Sequence, residues 1–175
     1  MTISSRLPDR VDPRRLAATQ ARLEGHWPLT DLPRLASSLY WSRDSADMAD
    51  ARLVLDFGED EQRRVVMDGQ LSATVPLVCQ RCLASVAWPI HVTVRLTMVR
   101  DDDAAAEVPR DREPLVLDDD SLAVGALVDD ELILALPLAA HCNNNDCSRS
   151  EPAPREGGKR RDNPFAGLAD WKRGN

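Results

Sequence analysis

Aromatic side chains are scarce. Tyr40, Phe57, Phe165 and the tryptophans at 27, 41, 88 and 171 make up 4% of 175 residues, so a core has to be built from leucine and valine. Lysine is scarcer still, at Lys159 and Lys172, against twenty arginines. Long hydrophobic runs are missing too. The longest, Leu132 to Ala140, covers nine residues and contains Pro137, far short of the roughly 20 that span a bilayer. A transmembrane helix is excluded, and no membrane partner is expected. The first ten residues contain no continuous apolar stretch, so no secretory signal is expected and the chain is assigned to the cytoplasm. There is no glycine-rich phosphate loop, serine nucleophile elbow or His-Glu-x-x-His pair. His26 and His91 have no paired nucleophile nearby in sequence and read as solvated or satisfied histidines. The chain is therefore read as non-enzymatic, with no catalytic residues and no small-molecule substrate.

What is present suffices for a modest core. Leucine, isoleucine, valine and phenylalanine together supply 41 residues, or 23%, above the level of a wholly disordered chain. Charge is placed unevenly. The net value is −7, but residues 148–175 hold seven basic groups against four acidic ones, which leaves −10 on residues 1–147. An acidic body argues against tight non-specific nucleic-acid binding. The arginine bias supplies donor forks suited to phosphate.

Periodicity along the chain points to an α+β fold on a mostly antiparallel sheet, with room for partial closure into a barrel, and two or three short helices. Leu16 to Trp27 reads as a strand entering Pro28. A helix follows, capped by Thr30 or Asp31, with Leu32, Leu35, Ala36 and Leu39 on one face. Strands are expected at 52–57, 63–67 and 71–78, the last an edge or bulged strand because of Pro76. Val86, Trp88, Ile90, Val92, Val94, Leu96 and Met98 alternate strictly, the clearest strand in the chain. Residues 101–113 read as a mobile acidic loop, and 113–117 with 121–124 as a hairpin across Asp118 to Asp120. Gly125 to Leu136 gives the best helix, stopped by Pro137, with Asp129, Asp130 and Glu131 on a solvated face. One domain is expected over 1–147. Residues 148–175 read as a basic flexible tail ending in a short helix at about 164–172, capped by Asn163 and opened by Pro164.

Four cysteines carry the strongest chemical signal. Cys79-Gln-Arg-Cys82 falls between two strands, and two thiolates at that spacing can close on one metal if the fold supplies a second pair. Cys142 and Cys147 supply it, with His141 as an alternative ligand. The expected cofactor is structural zinc. The same thiols can also pack reduced, as small apolar side chains. Strand-like flanks on both sides argue against redox catalysis, which needs the first cysteine at a helix N-terminus.

Three segments in fixed order, Val78-Cys-Gln-Arg-Cys-Leu83, then Leu127-Val-Asp-Asp-Glu-Leu-Ile-Leu-Ala-Leu-Pro137 with His141 and Cys147 beyond it, then Asn163-Pro-Phe-Ala-Gly-Leu-Ala169, resemble the bacterial YceD family of large ribosomal RNA subunit (23S rRNA) accumulation proteins. Leu23 to Leu35 fits the same resemblance, which spans nearly the whole chain. It implies a ribosome-biogenesis factor supporting 23S rRNA synthesis, processing or accumulation, and large-subunit assembly. It places Cys79, Cys82, His141 and Cys147 at the family's Cys-x-x-Cys and later His/Cys positions, with Cys142 as an addition. The expected partner is 23S rRNA or its precursor, or a large-subunit assembly protein. Arg81, Arg160, Arg161, Phe165 and Leu168 are the candidate contact residues. The alternative is an acidic adaptor that binds a ribosomal protein or RNA-processing enzyme without touching RNA.

Overall fold

The computed structural model describes residues 5–42, 48, 50–117, 119–143 and 147. The chain divides into two compact units, Met1–Cys142 and Asn143–Asn175. The expected tail helix at 164–172 and the tail contact residues lie outside the described residues.

The first unit is α+β. Its chain order is β1 (Ser5–Arg6), β2 (Arg10–Val11), α1 (Pro13–Ala18), β3 (Arg22–Pro28), a 3-10 turn at Leu29–Asp31, α2 (Pro33–Ser38), β4 (Asp50–Glu59), β5 (Val65–Val78), β6 (Ser85–Val99), α3 (Asp102–Ala105), β7 (Glu113–Val116), β8 (Leu122–Ala123) and α4 (Val124–Leu134). Six strands form one sheet in the order β1-β3-β4-β5-β6-β7. The centre, β3 to β6, is an antiparallel meander, and β1 and β7 are added in parallel at the two edges. The sheet ends at those edges and does not close into a barrel. Among the described residues there are four α-helices, where two or three short ones were expected for the chain.

Period-two patterning sets the meander. Ala51, Leu53, Leu55 and Phe57 of β4 are buried, while Arg52, Val54 and Asp56 face the other way. The two segments expected at 63–67 and 71–78 are one continuous strand, β5. Gly69 sits at its middle because a β-carbon there would stand 3.3 Å from Leu55 Cδ2. Pro76 is tolerated in this central strand because β4 pairs only as far as Ser72. Beyond that point one side of β5 is locally an edge, where the Pro76 carbonyl accepts from Tyr40 N at 2.9 Å.

Four expectations are corrected. The strand expected from Leu16 begins at Arg22, because Asp12 caps a helix at Arg14 N and Arg15 N with Pro13 in its first turn. The 113–117 and 121–124 segments do not pair as a hairpin: β7 joins β6, and β8 joins β2 in a separate two-stranded sheet. The acidic loop contains α3, capped by Asp101 on Ala104 N. Finally, Asp129 is buried rather than solvated. It accepts from Arg34 N at 3.2 Å and Leu35 N at 2.8 Å, and so caps α2 from α4, where Leu32 offers no capping side chain.

Core packing follows from these placements. Trp27, Leu35, Leu53, Leu55, Met67, Val128 and Leu132 belong to one buried cluster. Gly125 opens α4 where a β-carbon would stand 2.6 Å from the Trp27 ring. Among the described residues, no helix is long and apolar enough to cross a membrane.

Candidate metal centre

Two of the four thiols, Cys79 and Cys82, lie at the tip of the long β5–β6 hairpin. Cys79 N donates to Ala84 O at 2.9 Å, and Leu83 N to Cys79 O at 2.9 Å. The turn this makes puts Leu83 at a φ of 59°, a left-handed conformation that costs a non-glycine residue roughly 1–2 kcal/mol. Leu83 is also 73% exposed. Neither its backbone nor its side chain is favourable in isolation, so the surrounding contacts hold the turn.

Those contacts come from the segment after α4. Gln80 N donates to Ala140 O at 2.8 Å, and Cys142 N donates to Cys79 Sγ at 3.3 Å. Arg81 adds a long contact, Nη2 to Cys142 O at 3.5 Å. Residues 140–142 therefore lie along the turn as a strap. Hydrogen bonds to sulfur of this kind tune thiolate-ligated centres.

The strap brings sulfurs together across a long stretch of chain. Cys82 Sγ and Cys142 Sγ, 60 positions apart, stand 3.7 Å from each other. The ligand atoms of Cys79, Cys82, Cys142 and Cys147 all lie within 4.8 Å of one another. Four sulfurs at about 2.3 Å from a tetrahedral zinc are separated by about 3.8 Å, so the Cys82–Cys142 spacing already matches an edge of that tetrahedron. Cys79 and Cys147 are buried while Cys82 is exposed. The group is thus sealed on one side and reachable on the other.

Of the expected ligands, the four cysteines come together. His141 is exposed and is not in the group. Arg81 is exposed beside the turn. The backbone partners Gln80 N and Ala140 O were not legible in the sequence, since main-chain groups carry no residue-type signal. The small, apolar Ala139-Ala140 pair after Pro137 is the trace they leave.

These features define a class: an α+β protein with an open six-stranded sheet and a candidate thiolate metal centre clasping its longest hairpin. The family model described as large ribosomal RNA subunit accumulation protein YceD matches residues 67–172. The curated protein of that name from Haemophilus influenzae is 32% identical over 174 residues, covering 95% of this chain and 97% of its own length. The chain belongs to the YceD family. No solved structure matches it.

Proposed function

We propose that this chain is a cytoplasmic, non-enzymatic ribosome-biogenesis factor that supports 23S rRNA accumulation and large-subunit assembly by binding. The relative named for large ribosomal RNA subunit accumulation, aligned over nearly the full length of both chains, is the observation that carries this reading. The four-cysteine group supports a structural role for zinc. Soft thiolates in a tetrahedral arrangement select zinc or an iron–sulfur cluster, and a closed four-sulfur set holds shape and leaves no position for substrate. Zinc held there by Cys79, Cys82, Cys142 and Cys147 would fix the hairpin tip to the strap. Arg81, exposed on that tip, is then presented on a rigid turn, and Arg160, Arg161, Phe165 and Leu168 are proposed as tail contacts to the same partner.

A second reading is favoured by one observation, the net charge of −10 on residues 1–147. Such a body suits a basic ribosomal protein or processing enzyme in an adaptor that never touches RNA. Titrating the purified chain against a 23S rRNA fragment and against basic large-subunit proteins, across a salt series, separates the two. RNA binding whose affinity falls with salt supports direct contact. Binding to a ribosomal protein with none to RNA assigns the chain to the adaptor class.

A further inference from the structure

Away from the thiols, a cleft of about 490 Å³ opens between α1, the β4–β5 turn and the segment from the end of β6 to Leu117. Its floor is apolar, with Val65, Met98 and Leu117, and its rim carries the guanidinium groups of Arg14, Arg63 and Arg100. Arg64 also reaches the cleft, but its role is structural. Its donors are engaged by Asp60 Oδ2 at 2.7 Å, Gln62 Oε1 at 3.2 Å and the Glu107 carbonyl at 3.1 Å.

The rim arginines are held differently. Arg63 meets Glu59 at 2.9 Å with its own side chain 84% exposed, and Arg14 meets Asp120 at 3.3 Å with both side chains exposed. Exposed pairs of this kind contribute about 0–1 kcal/mol, so a phosphate can take either arginine from its carboxylate. Arg100 is exposed and forms no ion pair among the described residues. Glu59, Glu107 and Asp120 are the carboxylates on the same rim. An acidic chain that gathers arginines around an apolar floor has the two features that unpaired RNA uses: a surface for an unstacked base, and guanidinium planes that both stack and bind phosphate.

We propose that this cleft receives a single-stranded segment of large-subunit rRNA, with one unstacked base on the Val65, Met98 and Leu117 floor and the flanking phosphates on Arg14, Arg63 and Arg100. The assignment rests on the reading of the chain as a direct rRNA-binding factor. A duplex keeps its bases stacked inside and cannot use the floor.

The test is fluorescence anisotropy on the full chain, with an unpaired loop segment of 23S rRNA and the same segment annealed into a duplex, over a salt series. The wild type is expected to prefer the single strand. Combined Arg14→Ala, Arg63→Ala and Arg100→Ala should weaken single-strand binding by about tenfold or more and flatten the log–log salt slope by about 2, because each single-strand phosphate contact contributes about 0.7. Asp120→Asn, which releases Arg14, should tighten binding. Should the triple alanine variant melt early, the corresponding lysine set keeps the charge. It should then hold the salt slope and keep the preference for single strands, which the floor supplies. A wild type that binds neither RNA overturns the direct-contact reading and this assignment with it. A wild type that binds, with the arginine variants binding equally well, overturns the cleft alone, as does equal affinity for the duplex.

Discussion

At the scale of single residues, Asp129 shows how a local reading of charge fails. Three consecutive acids in a helix read as a wet face, and Asp130 does reach Arg34 at the surface. Asp129 instead turns inward to two amide donors of α2, a partnership set by the fold and invisible to a window of neighbours. Replacing it with alanine leaves buried N–H groups unsatisfied, and Asp129→Ala should cost about 2–3 kcal/mol, read as a lower urea midpoint with an unchanged slope. Asp129→Asn keeps an acceptor and should cost less. Thr97 offers the opposite case. Its side chain is fully buried and its hydroxyl has no partner among the described residues, so Thr97→Val removes an unsatisfied group at nearly constant volume. A rise in stability of about 1 kcal/mol is expected, and a loss of similar size in the same unfolding measurement would show that the hydroxyl is satisfied.

At the scale of elements, legibility tracks how local the determinant is. β6 was readable because one face of the sheet is core and the other wet, which writes the period directly into residues 86–98. α4 was readable from its apolar face and the proline beyond it. α1 was missed although Asp12 and Pro13 form a cap-and-proline start, because six residues offer too short an apolar period to register. The 113–124 segments were given to each other since a turn lies between them, yet their partners are β6 and β2, distant in sequence and so unmarked. Within α4, Glu131 is held above its ordinary carboxyl range, by burial first and then by the nearby charges of Glu113 and Asp130. A raised carboxyl binds its proton more tightly in the folded state. Between the ordinary value of 4.5 and the raised one the native chain therefore holds more protons, and stability falls as pH rises through that window. Glu131→Gln should thus melt higher than the wild type at neutral pH, and the difference should vanish below pH 4.5. A gap that stays constant from acid to neutral pH would assign the effect to packing.

At the scale of the whole molecule, the cysteines were legible as a group while the means of assembly was not. The sequence pairs Cys79 with Cys82 by spacing, but only folding brings Cys142 across 60 positions to Cys82, by way of the hairpin tip and the strap after α4. Closing a loop of that length costs about 4 kcal/mol of chain entropy on folding by the scaling used for cross-links, and metal binding energy, gained only in the folded chain, would offset it. The centre does not stand in for a core, however, because the buried cluster from Leu7 to Ala140 includes none of the four cysteines. Metal removal should therefore lower the melting temperature without abolishing the cooperative transition, unlike a zinc finger, which unfolds. The two ends of the motif should also differ. Cys79 is buried and its sulfur receives the Cys142 amide, so Cys79→Ser disturbs the strap as well as the metal. Cys82 is exposed, so Cys82→Ser should remove metal at a smaller structural cost. Elemental analysis of the protein as purified, with calorimetry before and after chelation, checks this: the wild type should carry about one zinc per chain and melt lower after chelation, while both serine variants should melt lower than wild type and respond little to chelator, Cys79→Ser falling further than Cys82→Ser. Protein that carries no metal and melts identically with and without chelator would return the four thiols to apolar packing, and iron with sulfide in place of zinc would make the same geometry a cluster site.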